Sequence, residues 1–335
     1  MIVSELTRRA GAERYGVDPR SLHEKGGTDG AVYSCRRGSR ACVLKFVPMP
    51  DDQLVVYEEK LAFIAYLAEH GVPLAAPLES DGGKWYEVVQ GEDRQYVVTL
   101  TQLADGRHPT PRNLYDWNET LFQLWGQVMG KMHALAKVDP TWRRPAPGDL
   151  ADQPPTRLTD WQGEHCSFAE WCTEPKIVEK WMQLYEELKL LPIERSGYGL
   201  IHNDLHMWNF LYNPDARDTH PITIIDFDVC GYHWFITDIA IAVYHGLTWT
   251  KRSLAEREIF TRHFLSHFMR GYRKENALDP CWFEHLPTFL KYREILVYIA
   301  LSNEWPEEKR DRWQKSFLAE KRSRTLRDEP LITQI

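Results

Sequence analysis

Apolar and polar positions follow two regimes along the chain, and the change between them falls near residue 103. Residues 31–47 read as two strands, AVYSCRR and RACVLKFV, because β-branched and aromatic residues recur around the turn GS and the second run ends apolar. Asp51 and Asp52 stand where they can cap a following helix. In that helix Leu61, Ile64, Ala65 and Ala68 recur at helical spacing, and Gly71 supplies the stop. KWYEVV and RQYVVTL predict two more strands around the turn GED. The order β-β-α-β-β describes a small lobe over residues 1–103, expected as a five-stranded sheet plus a helix.

From residue 114 the period becomes helical. Leu121, Leu124, Val128, Met132 and Leu135 form one stripe of a long helix, which reads as core. PTWRRPAPGDLADQPP is rich in proline and charge and reads as a loop, and a helix follows over about 175–190. GYGLIHNDLHMWNFLYN then leads through the turn NPDARDTHP to the short apolar strand ITIIDF. The last third is helical and aromatic. Residues 104–335 thus form a second, mostly helical lobe, and the fold class is α+β.

Composition narrows the function. The 335 residues suit two lobes, and 41 Lys+Arg against 48 Asp+Glu give a net charge of −7. An acidic balance argues against a phosphate-backbone binder, so nucleic acid is not an expected partner. The run EKRSRTLR near the end reads as a solvated face. The most apolar stretch, FITDIAIAVYHGL, is cut by Asp238 and is too short to span a membrane. MIVSELTRRA has no apolar signal region, and the six cysteines include no CxxC pair, so free thiols in the cytoplasm are expected. The 13 tryptophans are more than a core of this size demands, and all but Trp85 fall after residue 103.

The chemistry concentrates in His202-Asn-Asp204-Leu-His206-Met-Trp-Asn209, followed after a hairpin by Ile224-Ile-Asp226-Phe-Asp228. Asp204 and Asn209 share one loop, and Asp226 ends an apolar strand folded back beside it. Such a set suits phosphoryl transfer: one Asp accepts the proton of an incoming hydroxyl, while Asn and a second Asp hold magnesium against the β- and γ-phosphates. The Asp–x4–Asn spacing corresponds to a kinase catalytic loop, and Asp-Phe-Asp stands where kinases carry Asp-Phe-Gly. A lone Asp is ordinarily a turn former, but the three groups in this context argue for a site. His202 and His206 are spaced like a zinc pair, yet no intervening glutamate or third ligand is evident. His202 reads as loop scaffold and His206 stays open, while His263 and His267, four apart in HFLSHFM, read as structural.

HNDLHMWN resembles the HGDLHPGN loop of the aminoglycoside phosphotransferase and choline kinase superfamily, and IIDFDVCGYHWFITDIA resembles its magnesium-binding strand and following helix. GKMHALAK and EHGVPLAAPLES are similar to segments of the bacterial phosphotransferase enzyme family within it. The resemblance covers about residues 20–250 and is specific over 199–245. Asn203 replaces the family's Gly, and Met207-Trp208 its Pro-Gly, which puts the acceptor pocket or the loop packing in question.

The resemblance implies a bilobal protein-kinase-like fold and a cytoplasmic, MgATP-dependent phosphotransferase acting on a small-molecule hydroxyl. An aminoglycoside, an amino alcohol or a homoserine-like metabolite would be the acceptor. A Ser/Thr protein kinase of the stress-response type, or a nucleotide-binding pseudokinase scaffold, is the alternative. It implies Asp204 as catalytic base, Asn209 and Asp226 as magnesium ligands, and Asp238 as the brace of the catalytic loop, leaving Asp228 undecided. Gly26, Gly27, Thr28, Asp29 and Gly30 resemble its phosphate-covering turn. Lys45 stands at the position of the phosphate-contacting lysine. Glu58 and Glu59 both qualify as its partner: family spacing to Leu67 favours Glu59, whereas the helical wheel brings Glu58 closer to the Leu61/Ala65 face. Residues 99–103, including Thr101 and Leu103, would form the hinge that reads adenine through its backbone, which leaves ATP against GTP open. Trp208 and Trp234 are expected where an acceptor could stack. Oligomeric state is not legible.

Overall fold

The computed structural model describes residues 3–26, 31–138, 158–217, 219–248 and 253–334, with the Asp52 side chain excepted. In chain order these residues form α1 (Glu5–Arg14), β1 (His23–Gly26), β2 (Ala31–Arg37), β3 (Arg40–Pro48), α2 (Leu54–Glu69), β4 (Pro77–Leu78), β5 (Glu87–Gln90) and β6 (Gln95–Gln102). Then come α3 (Glu119–Val138), α4 (Trp161–Trp171), α5 (Pro175–Leu188), β7 (Tyr198–Ile201), β8 (Phe210–Tyr212), β9 (Ile222–Ile224), β10 (Gly231–Trp234) and α6 (Phe235–Thr248). α7 (Leu254–Tyr272), α8 (Leu286–Glu304) and α9 (Arg312–Leu326) complete the chain. The Pro-rich loop over 140–155 lies outside the described residues.

The chain divides into two compact units, one of Met1–Arg107 with Leu211–Asp226, the other of His108–Phe210 with Phe227–Ile335. The first is built on an antiparallel sheet in the order β1-β2-β3-β6-β4, with β5 also on β6. The sheet has six strands, not the expected five. β1 (HEKG) is fully exposed and β4 is only two residues long, so neither carries an alternating pattern. Side chains alternate inward along β2 and β3, placing Tyr33, Cys35, Cys42, Leu44 and Phe46 in a core closed by Ala12 and Tyr15 at the end of α1. Tyr15 anchors that helix end by donating its hydroxyl to the Val98 carbonyl at 2.8 Å.

Two local expectations need correction. No side chain caps α2: its N-cap is Gln53, and Asp51 instead accepts from the Gln95 amide at 2.6 Å. The inward face of α2 is Leu61, Phe63 and Leu67, while Ile64, Ala65 and Ala68 are only half-buried.

β9 is tied to the segment after α2, because Ile224 donates to the Pro73 carbonyl and Ala75 donates to Ile224, both at 2.9 Å. That is why 211–226 belongs to the first unit although a hundred residues of the second precede it.

In the second unit every residue from Phe235 to Leu247 of α6 is buried, so the apolar run is the centre of a helical core. No helix among the described residues is long and apolar enough to cross a membrane. α3 and α7 pack at backbone contact. A Cβ on Gly126 would lie 2.0 Å from the Phe268 carbonyl oxygen, and one on Gly271 would lie 1.8 Å from that of Gln123. Only glycine permits that approach. Trp125, Trp161, Trp181 and Trp234 are fully buried, which accounts for much of the tryptophan excess by packing; Trp142 and Trp249 lie outside the described residues. All six cysteines are free thiols, including the cross-strand neighbours Cys35 and Cys42.

Candidate functional site

The loop that carries Asp204 leaves β7, a strand paired antiparallel with β10. It turns at once, with Asn203 at φ 65°, a left-handed conformation that Asn adopts more readily than most residues. Asp238, in the first turn of α6, holds the turn by accepting the backbone N–H groups of His202 at 3.2 Å and Asn203 at 2.8 Å. Its carboxylate also meets His133 Nε2 at 3.2 Å, and His133 Nδ1 meets the Tyr272 hydroxyl at 2.8 Å. Burial pushes His133 below its ordinary range even beside Asp238, so its neutral ring donates to Asp238 and accepts from Tyr272. Asp238 therefore braces the loop, as the resemblance implies.

The Asp204 carboxylate sits among three polar side chains. Asn209 donates its side-chain amide to both the Asp204 carbonyl and Oδ2, each at 2.9 Å. The Arg293 guanidinium, from the middle of α8, hydrogen-bonds Oδ1, and His206 Nε2 lies 3.4 Å from Oδ2. Arg293 also reaches His245 Nε2 on α6 at 3.2 Å. Burial is the largest single influence on the Asp204 carboxyl and raises it, but the charge and hydrogen bond of Arg293, joined by His206 and His202, together hold the group below the usual carboxylate range. Burial pushes His206 down to about 4 and His245 well below its ordinary range, so both rings are neutral at pH 7.

Asn209 spends both amide hydrogens on Asp204, so the side-chain oxygen is the atom it presents to a ligand. That is a hard oxygen donor of the kind magnesium takes. Asp226 offers another. It follows β9, adopts φ 65°, and its half-exposed carboxylate pairs with Lys45 of β3 at 3.1 Å. Each of these two oxygen donors is of a kind that a hard divalent cation takes.

The remaining expected residues are placed as follows. The Glu58 carboxylate accepts the Tyr86 hydroxyl at 2.5 Å, and Glu59 follows it on α2. Thr101 lies within β6, in register with Val43 and Pro77. The Leu103 amide already donates to the Ala41 carbonyl at 3.0 Å, so the N–H expected to read a base is engaged within the sheet. Gly26 ends β1 at φ 102°, while Gly27, Thr28, Asp29 and Gly30 lie outside the described residues.

His202 is scaffold: its Nδ1 accepts the Asp204 amide at 3.3 Å and its ring packs on Phe227 at 4.4 Å. His206 finds Asp204 and His245 within ligand distance of one another. The Arg293 cation touches both of those partners, however, and opposes a metal ion there. The Gly-to-Asn change at 203 serves loop packing, since the buried Asn203 amide donates to Glu164 of α4, which also accepts from Tyr292 at 2.7 Å. Met207 is fully buried, whereas Trp208 remains 39% exposed with its ring edge-on to His206.

Trp234 corrects an expectation. It is fully buried, donates its indole N–H to the Pro192 carbonyl at 2.8 Å and packs on Trp161 and Tyr198, so it has no face for an acceptor. Three residues of the site were not anticipated: Arg293, His245 and Glu164. The available signal was the pair Arg293-Glu294 inside the apolar run of α8, where charges need partners.

The sequence profile of the Phosphotransferase enzyme family matches residues 25–278. The amicoumacin kinase of Bacillus subtilis (strain 168) is 31% identical over 86% of this chain and 81% of its own length. A solved amicoumacin kinase, in complex with AMP-PNP, Ca2+ and Ami, superposes with a TM-score of 0.85 at 27% identity, over 99% of this chain and 96% of that one. The choline kinase LicA from Streptococcus pneumoniae, 12% identical, shares the fold with a TM-score of 0.59 over 97% of this chain and 98% of its own. A helical unit that braces Asp204 and Asn209, and a sheet unit that carries Lys45 and Asp226, are thus parts of a kinase-like α+β fold, and the chain belongs to the Phosphotransferase enzyme family.

Proposed function

We propose that this protein transfers the γ-phosphoryl group of MgATP to a hydroxyl of a small molecule, with amicoumacin or a compound of similar chemistry as the acceptor. The observation that carries the reading is the Asp204 constellation: a largely buried carboxylate kept ionised by Arg293 and aligned by Asn209. The similarity to amicoumacin kinases over most of the chain supports the acceptor class.

Asp204 orients the acceptor hydroxyl and takes its proton as the oxygen bonds to phosphorus and the bond to ADP breaks. A carboxylate held ionised is a weak base, so most of the rate comes from alignment and charge placement. Lys45, with Glu59 as its partner, and the glycine-rich segment 26–30 hold the triphosphate. Asn209 and Asp226 would hold magnesium, which would neutralise charge on the phosphate oxygens. Thr101 and the chain around Leu103 border the nucleotide base.

A screen for ADP release with Mg2+ tests this, using amicoumacin, aminoglycosides, amino alcohols, homoserine and a protein Ser/Thr substrate. Acceptor-dependent ADP release with a phosphorylated amicoumacin-like product is expected. Transfer only to protein would replace the acceptor class, and binding of ATP with transfer to nothing would make the protein a scaffold.

Two further results follow from the geometry. Arg293→Met removes the charge that holds Asp204 down and leaves the burial that raises it. The acidic limb of the kcat/KM profile is therefore expected to move to higher pH, and an unmoved limb would detach Arg293 from the base. Trp208→Ala is expected to raise the acceptor KM more than the ATP KM, because this exposed ring stands beside His206; equal effects on both would mark it as packing.

A further inference from the structure

A second cluster lies apart from the Asp204 loop. His263 and His267 are one turn apart on α7, and both direct Nε2 toward Glu119 in the first turn of α3. Glu119 Oε1 is 3.4 Å from His267 Nε2 and 3.9 Å from His263 Nε2, and one ligand atom from each residue lies within 4.8 Å of the others. Donors 2.0–2.1 Å from one tetrahedral metal lie about 3.3 Å apart. The His267 pair already has that separation, and the His263 pair needs about half an ångström of closure. Glu119 can supply it, since its side chain is 59% exposed and free to turn.

The platform under these donors is rigid. α3 and α7 touch backbone to backbone at Gly126 and Gly271, and Phe122 of α3 packs on Phe264 of α7 with ring centroids 4.8 Å apart. Sites carried by packed helices keep their ligand spacing better than sites on loops. Glu119 and His263 also line a cleft of about 510 Å³ together with Leu114, Trp117 and Phe260. A water, or a donor atom of a molecule in the cleft, can therefore complete the coordination.

We infer that Glu119, His263 and His267 form a binding site for a divalent transition metal of the zinc type, with three protein ligands and one open position. Two imidazoles and a carboxylate select such a metal over magnesium, whose preference is for oxygen donors. The bound ion ties the start of α3 to the middle of α7, outside the machinery proposed for phosphoryl transfer.

The test is a zinc titration of the chelator-stripped full chain, by calorimetry in excess Mg2+, on the parent, on Glu119→Gln and on the double variant His263→Ala/His267→Ala. The parent is expected to bind one more zinc than the double variant, and Glu119→Gln to weaken that site at least tenfold. Zinc should raise the thermal midpoint of the parent and not of the double variant, and Co2+ should give a tetrahedral absorption spectrum in the parent alone. Equal zinc stoichiometry and affinity in parent and double variant would overturn the assignment. Circular dichroism checks that the variants fold. If the double variant does not, the exposed Glu119→Gln decides by itself, and an unchanged affinity there overturns the three-ligand site.

Discussion

Asp204→Asn is expected to lower kcat by about 10²- to 10⁴-fold, the range that a positioned proton acceptor contributes, while ATP binding stays close to that of the parent. Asn keeps the size of the side chain and can still accept from Asn209, so the loop need not move. It has no carboxylate to take the hydroxyl proton, and its own N–H groups compete with the hydroxyl for orientation. It also leaves the buried Arg293 guanidinium without its counter-charge, which adds a stability cost to the catalytic one. Steady-state ADP release with a fixed acceptor and a separate nucleotide-binding measurement tell these apart. Full activity in the variant would remove Asp204 from its proposed role.

Asp238→Ala is the second large effect and acts through the loop's architecture. The carboxylate accepts from His202 N–H, Asn203 N–H and His133. All of these groups are buried, and a cavity left by truncation gives them no other acceptor. Each buried donor left without an acceptor costs about 1–3 kcal/mol, and the truncation orphans three of them, two backbone N–H groups and the neutral His133 ring. The expected readout is a lower denaturation midpoint together with loss of kcat, because the left-handed turn at Asn203 is held by the same carboxylate. A stable, active Asp238→Ala protein would show that the β7–β10 pairing alone maintains the loop.

What the sequence reveals depends on how local each feature is. β2, β3, β5, β6 and the long α3 are legible because their periodicity is strong and their partners adjacent. α1 (ELTRRAGAER) is not, since it is mostly polar and only Thr7, Gly11 and Ala12 are buried. The eight-residue run from His202 to Asn209 announces itself because Asp204 and Asn209 act within one loop. Arg293, His245 and Glu164 do not, since helices distant along the chain deliver them: Arg293 reaches Asp204 across 89 positions and Glu164 reaches Asn203 across 39. Trp234 misleads for the opposite reason. It is near Asp226 in sequence, but strand alternation and the Pro192 carbonyl turn its ring into the core.

The strap of Ile224 against Pro73 and Ala75 has a consequence for how the protein is made and cut. The ribosome has released residues 1–107 long before Leu211–Asp226 emerge, so the amino-terminal unit waits with an unpaired backbone edge and with Lys45 lacking Asp226. A fragment ending at Arg107 is therefore an incomplete folding unit. A chimera that exchanges this unit with a relative needs two grafts, 1–107 and 211–226, taken together from the same parent.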